Sequence, residues 1–423
     1  MKKITAIVAG YGGRGAAYAQ YATEHPELMQ VVAVAEPHEG RRQTAKERHN
    51  LSDDRLFVTW EDLAAQPKMA DFAIIGTQDN MHFGPAMALI EKGYHLLLEK
   101  PMAPTPEECK TIAEAAKAKG VHVVVCHVLR YTQFWRSIKS IIDSGKLGKI
   151  MSVIHMENVG HLHQSHSFVR GHWRNSKESN CMILAKSCHD MDLLQWLVGQ
   201  KCEKVHSFGS LSHFCPENQP QGAPDRCTDG CPFAETCHYN AIKLYYDDKE
   251  NLWFRGAATH SLGRPTDEEV MHALKNGPYG RCVYKCDNDV VDHQVVNLEF
   301  ADGCTASFTM NAFNEGGRFI RIFGTEGELV SGKNQDQLEV FSFATKAWET
   351  VDISVHGNDV TSGHGGGDTG IMEAVLGLLR GETPCNSLGD VQTSYENHLI
   401  AFAAEKARVE GTVVTLDEFF DKE

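Results

Sequence analysis

The run Ile4 to Ala9, followed at once by Gly10-Tyr11-Gly12-Gly13-Arg14-Gly15 and then by the Ala-rich stretch to Glu24, constrains this chain more than any other feature. An apolar run that ends in G-x-G-x-x-G and passes straight into a helical pattern reads as strand, tight turn and helix of one βαβ unit. The first glycine permits the turn, the second lets backbone approach a pyrophosphate, and the third lets helix and strand pack closely. The helix start offers unpaired N–H groups and the positive end of its dipole to phosphate. Acidic Glu36 ends the next apolar run, about 20 residues further on, where a carboxylate accepts hydrogen bonds from an adenosine ribose and repels a 2'-phosphate. The reading is therefore a dinucleotide site, with NAD favoured over NADP, although Arg41 and Arg42 lie close by.

The same rhythm continues through residues 1–128. ITAIVAG, VVAVAE, FAIIGT, YHLLLEK and VHVVVCH are separated by helical stretches such as Gly15 to Glu24 and Pro106 to Lys119. Continuous Val/Ile/Leu runs are what parallel strands covered on both faces require, so the expectation is a doubly wound Rossmann domain of α/β class. Beyond it, residues 129–423 begin with a helix near Phe134 to Ser144. Strand-like runs follow at MSVIHMENV, VVDHQVVNLEF, CTASFTMNAF, RFIRIFGT, GELVSG and QLEVFSF, predicting an α+β domain with a large open-faced, mainly antiparallel sheet. Residues 215–287 are rich in Pro, Gly and Cys with little periodicity, and read as an inserted lobe.

With 41 Lys+Arg against 56 Asp+Glu the formal charge is -15, and no basic run concentrates the cations. Nucleic-acid and anionic-membrane binding are thereby disfavoured, and small-molecule chemistry is the better expectation. The run after Lys3 is too short for a signal-peptide core or a membrane span, so a cytoplasmic location is expected. Thirteen cysteines, an odd number in a long chain, point to free thiols or a metal. Cys227, Cys231, Cys237 and Cys282 fit four ligands of a structural zinc that would order the lobe; an iron-sulfur cluster or unliganded buried thiols remain open.

The chain resembles the glucose-fructose oxidoreductase / inositol dehydrogenase (Gfo/Idh/MocA) family. The likeness rests on Gly10 to Gly15, on Gly76-Thr77-Gln78-Asp79-Asn80-Met81-His82, on Glu99-Lys100-Pro101, on His189-Asp190-Met191-Asp192-Leu193-Leu194 and on Gly324-Thr325-Glu326-Gly327. The resemblance implies a nicotinamide nucleotide held by Gly10, Tyr11, Gly12, Gly13, Arg14, Gly15, Glu36, Thr77, Asn80, His82, Glu99 and Lys100. It also implies oxidation or reduction of a ring hydroxyl in a sugar, glycoside or cyclitol, and assembly through the sheet into a homodimer or homotetramer. Many members carry an acidic residue four positions before the histidine; here it is Ala185, followed by Lys186-Ser187-Cys188.

Oxidising a secondary alcohol needs a base for the hydroxyl proton and a cation near the developing alkoxide. Lys100, at the end of an apolar strand, and His189, at the start of an apolar helix, are suited to those roles, and Lys186 adds a cation that can lower a neighbour's pKa or hold an anion. Arg130, His163, His166, Trp173, Arg174 and His364 are the candidate substrate contacts. His161 and His163, if in a strand, share a face and allow a metal reading. In Gly363-His364-Gly365-Gly366-Gly367-Asp368 the glycine density allows backbone to pass close to a ligand. A redox-neutral, NAD-dependent glycosidase of the same fold is the alternative to a dehydrogenase, and it needs an additional base.

Overall fold

Strands buried on both faces have no place for unpaired polar side chains, and the strands of the first domain are apolar almost throughout. They are β1 (Ile4–Ala9), β2 (Met29–Ala35), β3 (Leu56–Phe57), β4 (Phe72–Ile75), β5 (His95–Leu98) and β6 (Val123–Val125). In a computed structural model, which describes residues 2–332, 335–353 and 364–419, they form one sheet in the order β3-β2-β1-β4-β5-β6. Every pairing is parallel. The order reverses between β1 and β4, and that switch point opens the crevice in which ligands of doubly wound sheets bind. Gly363 lies outside the described residues.

The second sheet has nine strands: β7 (Ile150–Asn158), β8 (Cys202–Ser210), β9 (His293–Phe300), β10 (Thr305–Asn311), β11 (Gly317–Gly324), β12 (Gly327–Ser331), β13 (Leu338–Ser342), β14 (Ala347–Val351) and β15 (Val414–Thr415). Their order is β14-β13-β12-β11-β7-β10-β9-β8-β15. Only the β7–β10 pairing is parallel; the rest are antiparallel. Alternation along β7 sends Val153, His155 and Glu157 inward, beneath the helix Cys188–Val198, while Ile154 faces outward. The outer face leaves Ile154 and Phe208 exposed.

Two expectations change in the lobe and beside it. Gly160, at φ +89°, turns the chain out of β7, so His161–His163 starts a helical segment that continues as a wide turn through Gln164–Arg170. The strand geometry behind the two-histidine metal reading is therefore absent. The lobe, in turn, has helices at Leu252–Thr259 and Asp267–Asn276, the second opened by a reciprocal Thr266/Glu269 capping box. Tyr245, Phe254, Val270, Leu274 and Tyr279 give it a small core of its own.

Candidate active site

The cofactor side of the crevice is made of backbone. Gly10 stands at φ +87°, and a Cβ there would lie 2.6 Å from the Gly76 carbonyl oxygen. A Cβ on Gly15 would lie 1.9 Å from the Gly10 carbonyl oxygen, so both positions exclude any side chain. Gly13, by contrast, faces open space, and the helix Gly13–Glu24 begins without a side-chain cap. Its first-turn N–H groups are left for a phosphate, as a dinucleotide requires. Glu36 is buried, its carboxylate accepting from the Tyr11 N–H (2.8 Å) and the His38 N–H (3.0 Å). Arg41 donates to the His260 carbonyl (3.1 Å) and Arg42 to that of Glu36 (2.6 Å), so both are engaged with backbone. The buried Thr77 hydroxyl has no partner among the described residues. These residues fit a bound dinucleotide.

Other motif residues hold the crevice together. Arg14 donates to Glu99 Oε1 (2.7 Å), to Asp368 Oδ1 (2.7 Å) and to the Tyr18 hydroxyl, and thereby ties the glycine loop to the late glycine run. Tyr18 also donates to Glu99 (2.7 Å), and His364 Nδ1 lies 3.1 Å from Asp368. Although burial opposes it, His364 and Arg14 hold the Asp368 carboxyl well below the usual range. His82 sits between the carbonyls of Pro101 (2.6 Å) and Thr77 (3.1 Å), clipping the Thr77–His82 turn to the strand-end lysine loop. Asn80 donates to the Glu178 carbonyl (2.9 Å).

Lys100 reaches across the domain boundary. Its backbone N–H is held by Glu99 Oε2 (2.8 Å), and its ammonium donates to the carbonyl of Ala185 at 2.7 Å, four residues before His189. The backbone carbonyl thus aims Lys100 from the very position at which the resemblance implied a carboxylate. His189 lies in the first turn of the helix Cys188–Val198, where the dipole disfavours a positive imidazole. Burial, and then the charge of Lys100, hold it well below the ordinary histidine range, so it is neutral and able to accept a proton.

Lys186 completes a buried ionic chain. Its ammonium lies 3.3 Å from Glu157, whose other oxygen is 2.6 Å from Arg318; Arg318 also pairs with Asp190 at 2.8 Å, and Asp190 with His155 at 2.8 Å. Burial lowers Lys186 against the opposing pull of Glu157. Arg318 and His155 hold Asp190 down although its burial pushes the other way. The sequence does not single out Glu157, Arg318 or His155, and Asp190 stands in it only as part of the motif that begins at His189. The available signal was charge at inward positions of an alternating strand, His155 and Glu157 in β7.

Of the proposed substrate contacts, Trp173 lies near Lys100, with the ammonium 5.8 Å from its ring, and it donates from Nε1 to Asp79 at 2.9 Å. His163 is pushed down to about 2 by burial, then by the charges of Lys186, His166, Arg318 and Lys100, and its ring packs against Phe168 (5.8 Å) and Trp253 (4.9 Å). His166 turns into the lobe, stacked on Phe254 at 4.1 Å and bonded to the Tyr245 hydroxyl at 2.8 Å. Arg174 pairs with Asp287 (2.8 Å) at the lobe junction, and Arg130 makes a buried bidentate bond with Asp192 (2.6 and 2.8 Å). Those three are structural in this geometry.

Cys227, Cys231, Cys237 and Cys282 line one cavity of about 210 Å³. Among the described residues, however, no three His, Cys, Asp or Glu side chains are arranged to hold a metal ion, and the structural-zinc expectation is without support. All thirteen cysteines are free thiols. The lobe is ordered by its aromatic core and by Arg170, which donates to the carbonyls of Arg281 (2.8 Å) and Tyr239 (2.7 Å). Among the described residues no helix is long and apolar enough to cross a membrane.

Over 323 residues the chain is 27% identical to the putative oxidoreductase YteT of Bacillus subtilis (strain 168), covering 72% of this chain and 71% of that one. It is 26% identical over 210 residues to the 2,7-anhydro-N-acetylneuraminate hydratase of Escherichia coli (strain K12), a match to 49% of this chain and 54% of the hydratase. The WlbA dehydrogenase of Bordetella pertussis, solved with NADH and UDP-GlcNAcA, shares the fold with a TM-score of 0.69 at 18% identity, over 98% of each chain. The model of the oxidoreductase family's NAD-binding Rossmann fold matches residues 4–127, and that of its C-terminal alpha/beta domain matches residues 139–416. The chain therefore belongs to the Gfo/Idh/MocA oxidoreductase family.

Proposed function

We propose that this protein is an NAD-dependent oxidoreductase acting on a ring hydroxyl of a sugar, glycoside or cyclitol. The observation that carries the reading is the bond from Lys100 to the Ala185 carbonyl, which brings a strand-end cation of the Rossmann domain to the turn that precedes His189. Bound NAD supplies the acceptor or donor of the hydride. Lys100 holds the hydroxyl oxygen and stabilises the negative charge that develops on it. His189, neutral in its buried setting, takes the hydroxyl proton. Lys186 helps keep His163 neutral. Trp173 offers a partly buried ring as a wall for the substrate, and His364 lies at the edge formed with Arg14. Glu36, held in place by two backbone N–H groups, supports NAD over NADP.

A second reading is favoured by the relative named as a hydratase: transient oxidation, elimination and re-reduction, with no net redox change. It needs another base near the ring, for which His163, on the turn that follows β7, is the candidate. Incubation with NAD and a panel of aryl glycosides, following reduced nicotinamide and aglycone in the same samples, separates the two. Reduced nicotinamide without aglycone supports the dehydrogenase, and NAD-dependent aglycone release without net reduction supports the alternative.

We also assign the protein to the cytoplasm, in keeping with thirteen free thiols, and to a homodimer or homotetramer built on the outer sheet face where Ile154 and Phe208 are exposed. Sedimentation velocity of the wild type beside Phe208→Asp checks the assembly. A monomer in both would reject it.

A further inference from the structure

We infer that the substrate carries a carboxylate, and that Lys186, with Lys100, receives it beside the hydroxyl that reacts. The inference rests on the carbohydrate reading above and narrows its substrate class to acids.

The argument starts from how the charges are matched. Lys186, Glu157, Arg318 and Asp190 alternate in sign along one buried chain, with each carboxylate already shared between two cationic or imidazole partners. Asp190 has Arg318 and His155; Glu157 has Arg318 at 2.6 Å and Lys186 at the looser 3.3 Å. Lys186 is therefore the least satisfied member, at the end of the chain. Its ammonium has three donors, and Glu157 is the one carboxylate within 4 Å among the described residues.

Lys100 is matched still less. Its ammonium donates to a neutral carbonyl, Ala185, and among the described residues no carboxylate lies within 4 Å of it. Asp79 accepts from the indole N–H of Trp173 (2.9 Å) and the Ser179 hydroxyl (3.2 Å), both on Oδ2. The surplus is registered by the neighbouring imidazoles. After burial, His163 is pushed down by Lys186, His166, Arg318 and Lys100, and His189 by Lys100, His127, Arg318 and His364. The two ammonium groups belong to one corner of the site, since Lys100 is bonded to the carbonyl of Ala185 and Lys186 is the next residue; with the Nδ1 of His189 three residues further on, buried and unbonded among the described residues, they form a receptor for one negative charge. A neutral polyol placed there would leave Lys100 without an anionic partner and Lys186 with only the looser pairing to Glu157, which is costly in a water-poor setting.

Three pairs of probes that differ in a carboxylate test this by calorimetric titration of the NAD-loaded protein: D-glucuronate with D-glucose, D-galacturonate with D-galactose, and tartrate with threitol. The expected result is binding of at least one acid at least about tenfold tighter than its neutral partner, weakened by added salt. Lys186→Met is expected to remove at least about tenfold of that affinity while leaving neutral partners and NAD unchanged. Lys186→Gln is the substitute if the methionine variant does not fold. No preference in any pair overturns the inference, and an undiminished preference in the Lys186 variants overturns the assignment to Lys186. Because the readout is binding, it is independent of turnover. Preference for tartrate alone, with both uronates indistinguishable from their sugars, would keep the receptor for an acid and reject the pyranose reading.

Discussion

The two walls of the cleft are made of different material. On the cofactor side the shape belongs to the backbone: Gly10 and Gly15 pack where no Cβ fits, and Glu36 is held by two N–H groups. On the opposite side it belongs to side chains: Lys186, Glu157, Arg318, Asp190 and His155 come from two strands, a helix and the turn before that helix, and hold one another. A backbone wall tolerates no substitution at its contact points but asks little of its surroundings. An ionic wall can be redrawn one residue at a time, yet each change leaves a buried partner uncompensated. One wall suits a constant cofactor, and the other suits substrates that differ among relatives.

The contrast can be broken most severely at Gly15. Gly15→Ala would set a Cβ 1.9 Å from the Gly10 carbonyl, and NAD affinity is expected to fall by about 100-fold or more in titration, whereas Gly13→Ala, which faces open space, leaves the fold's melting temperature unchanged. Equal damage from both would mean that the loop is not shaped by backbone contact.

On the ionic wall, Arg318→Met removes the cation that serves both Glu157 and Asp190. The expected cost is about 3–5 kcal/mol of stability in urea unfolding, with NAD affinity preserved. A loss below about 1 kcal/mol would reduce the chain to a surface-like set of ion pairs.

These two walls also differ in how readily they could be read. The glycine loop, Glu36, Lys100 and the parallel strands are local patterns, each complete within a few residues, so the sequence displays them. Glu157, the partner of Lys186, and Arg318, the second partner of Glu157, are joined only when β7 and β11 pair, with Arg318 opposite Glu157 in register. No local pattern announces that pairing. His163 and His166 show the limit within one segment: three residues apart, both meet the ring of Trp253, and His166 is in addition caged by Phe254 and Tyr245. Composition found the histidines, but the turn made by Gly160 decides which way each faces. The cysteine spacing suggested zinc for the same reason, since the thiols share a cavity while an aromatic core, invisible to local periodicity, supplies the order.

A smaller effect sharpens the division between those two histidines. His166→Phe retains the stack but removes the ring nitrogen bonded to the buried Tyr245 hydroxyl, and is expected to cost about 1–3 kcal/mol without changing sugar binding. A change in sugar affinity would return His166 to the site.

Acid then probes the imidazoles together. Burial first of all holds His163 at about 2 and His166 and His398 at about 3, so the folded protein leaves them neutral where the unfolded chain, near 6.5, takes up protons. Their stabilising contribution is present above pH 6.5 and is lost as pH falls from there toward 3, with a slope of about 1.4 kcal/mol per pH unit for each histidine once the unfolded groups are charged. Unfolding free energies measured across that window check the sign. Stability that rises on acidification would contradict the neutral assignment.

The central claim, that Lys100 and His189 act on one hydroxyl against bound NAD, is tested most directly by turnover of Lys100→Met and His189→Asn with the best substrate from the glycoside panel. Calorimetry would measure NAD binding in the same preparations. The account predicts that each variant loses about 1,000-fold or more in kcat while its NAD affinity stays within about threefold of wild type. Turnover retained in both variants, with NAD still bound, would contradict it.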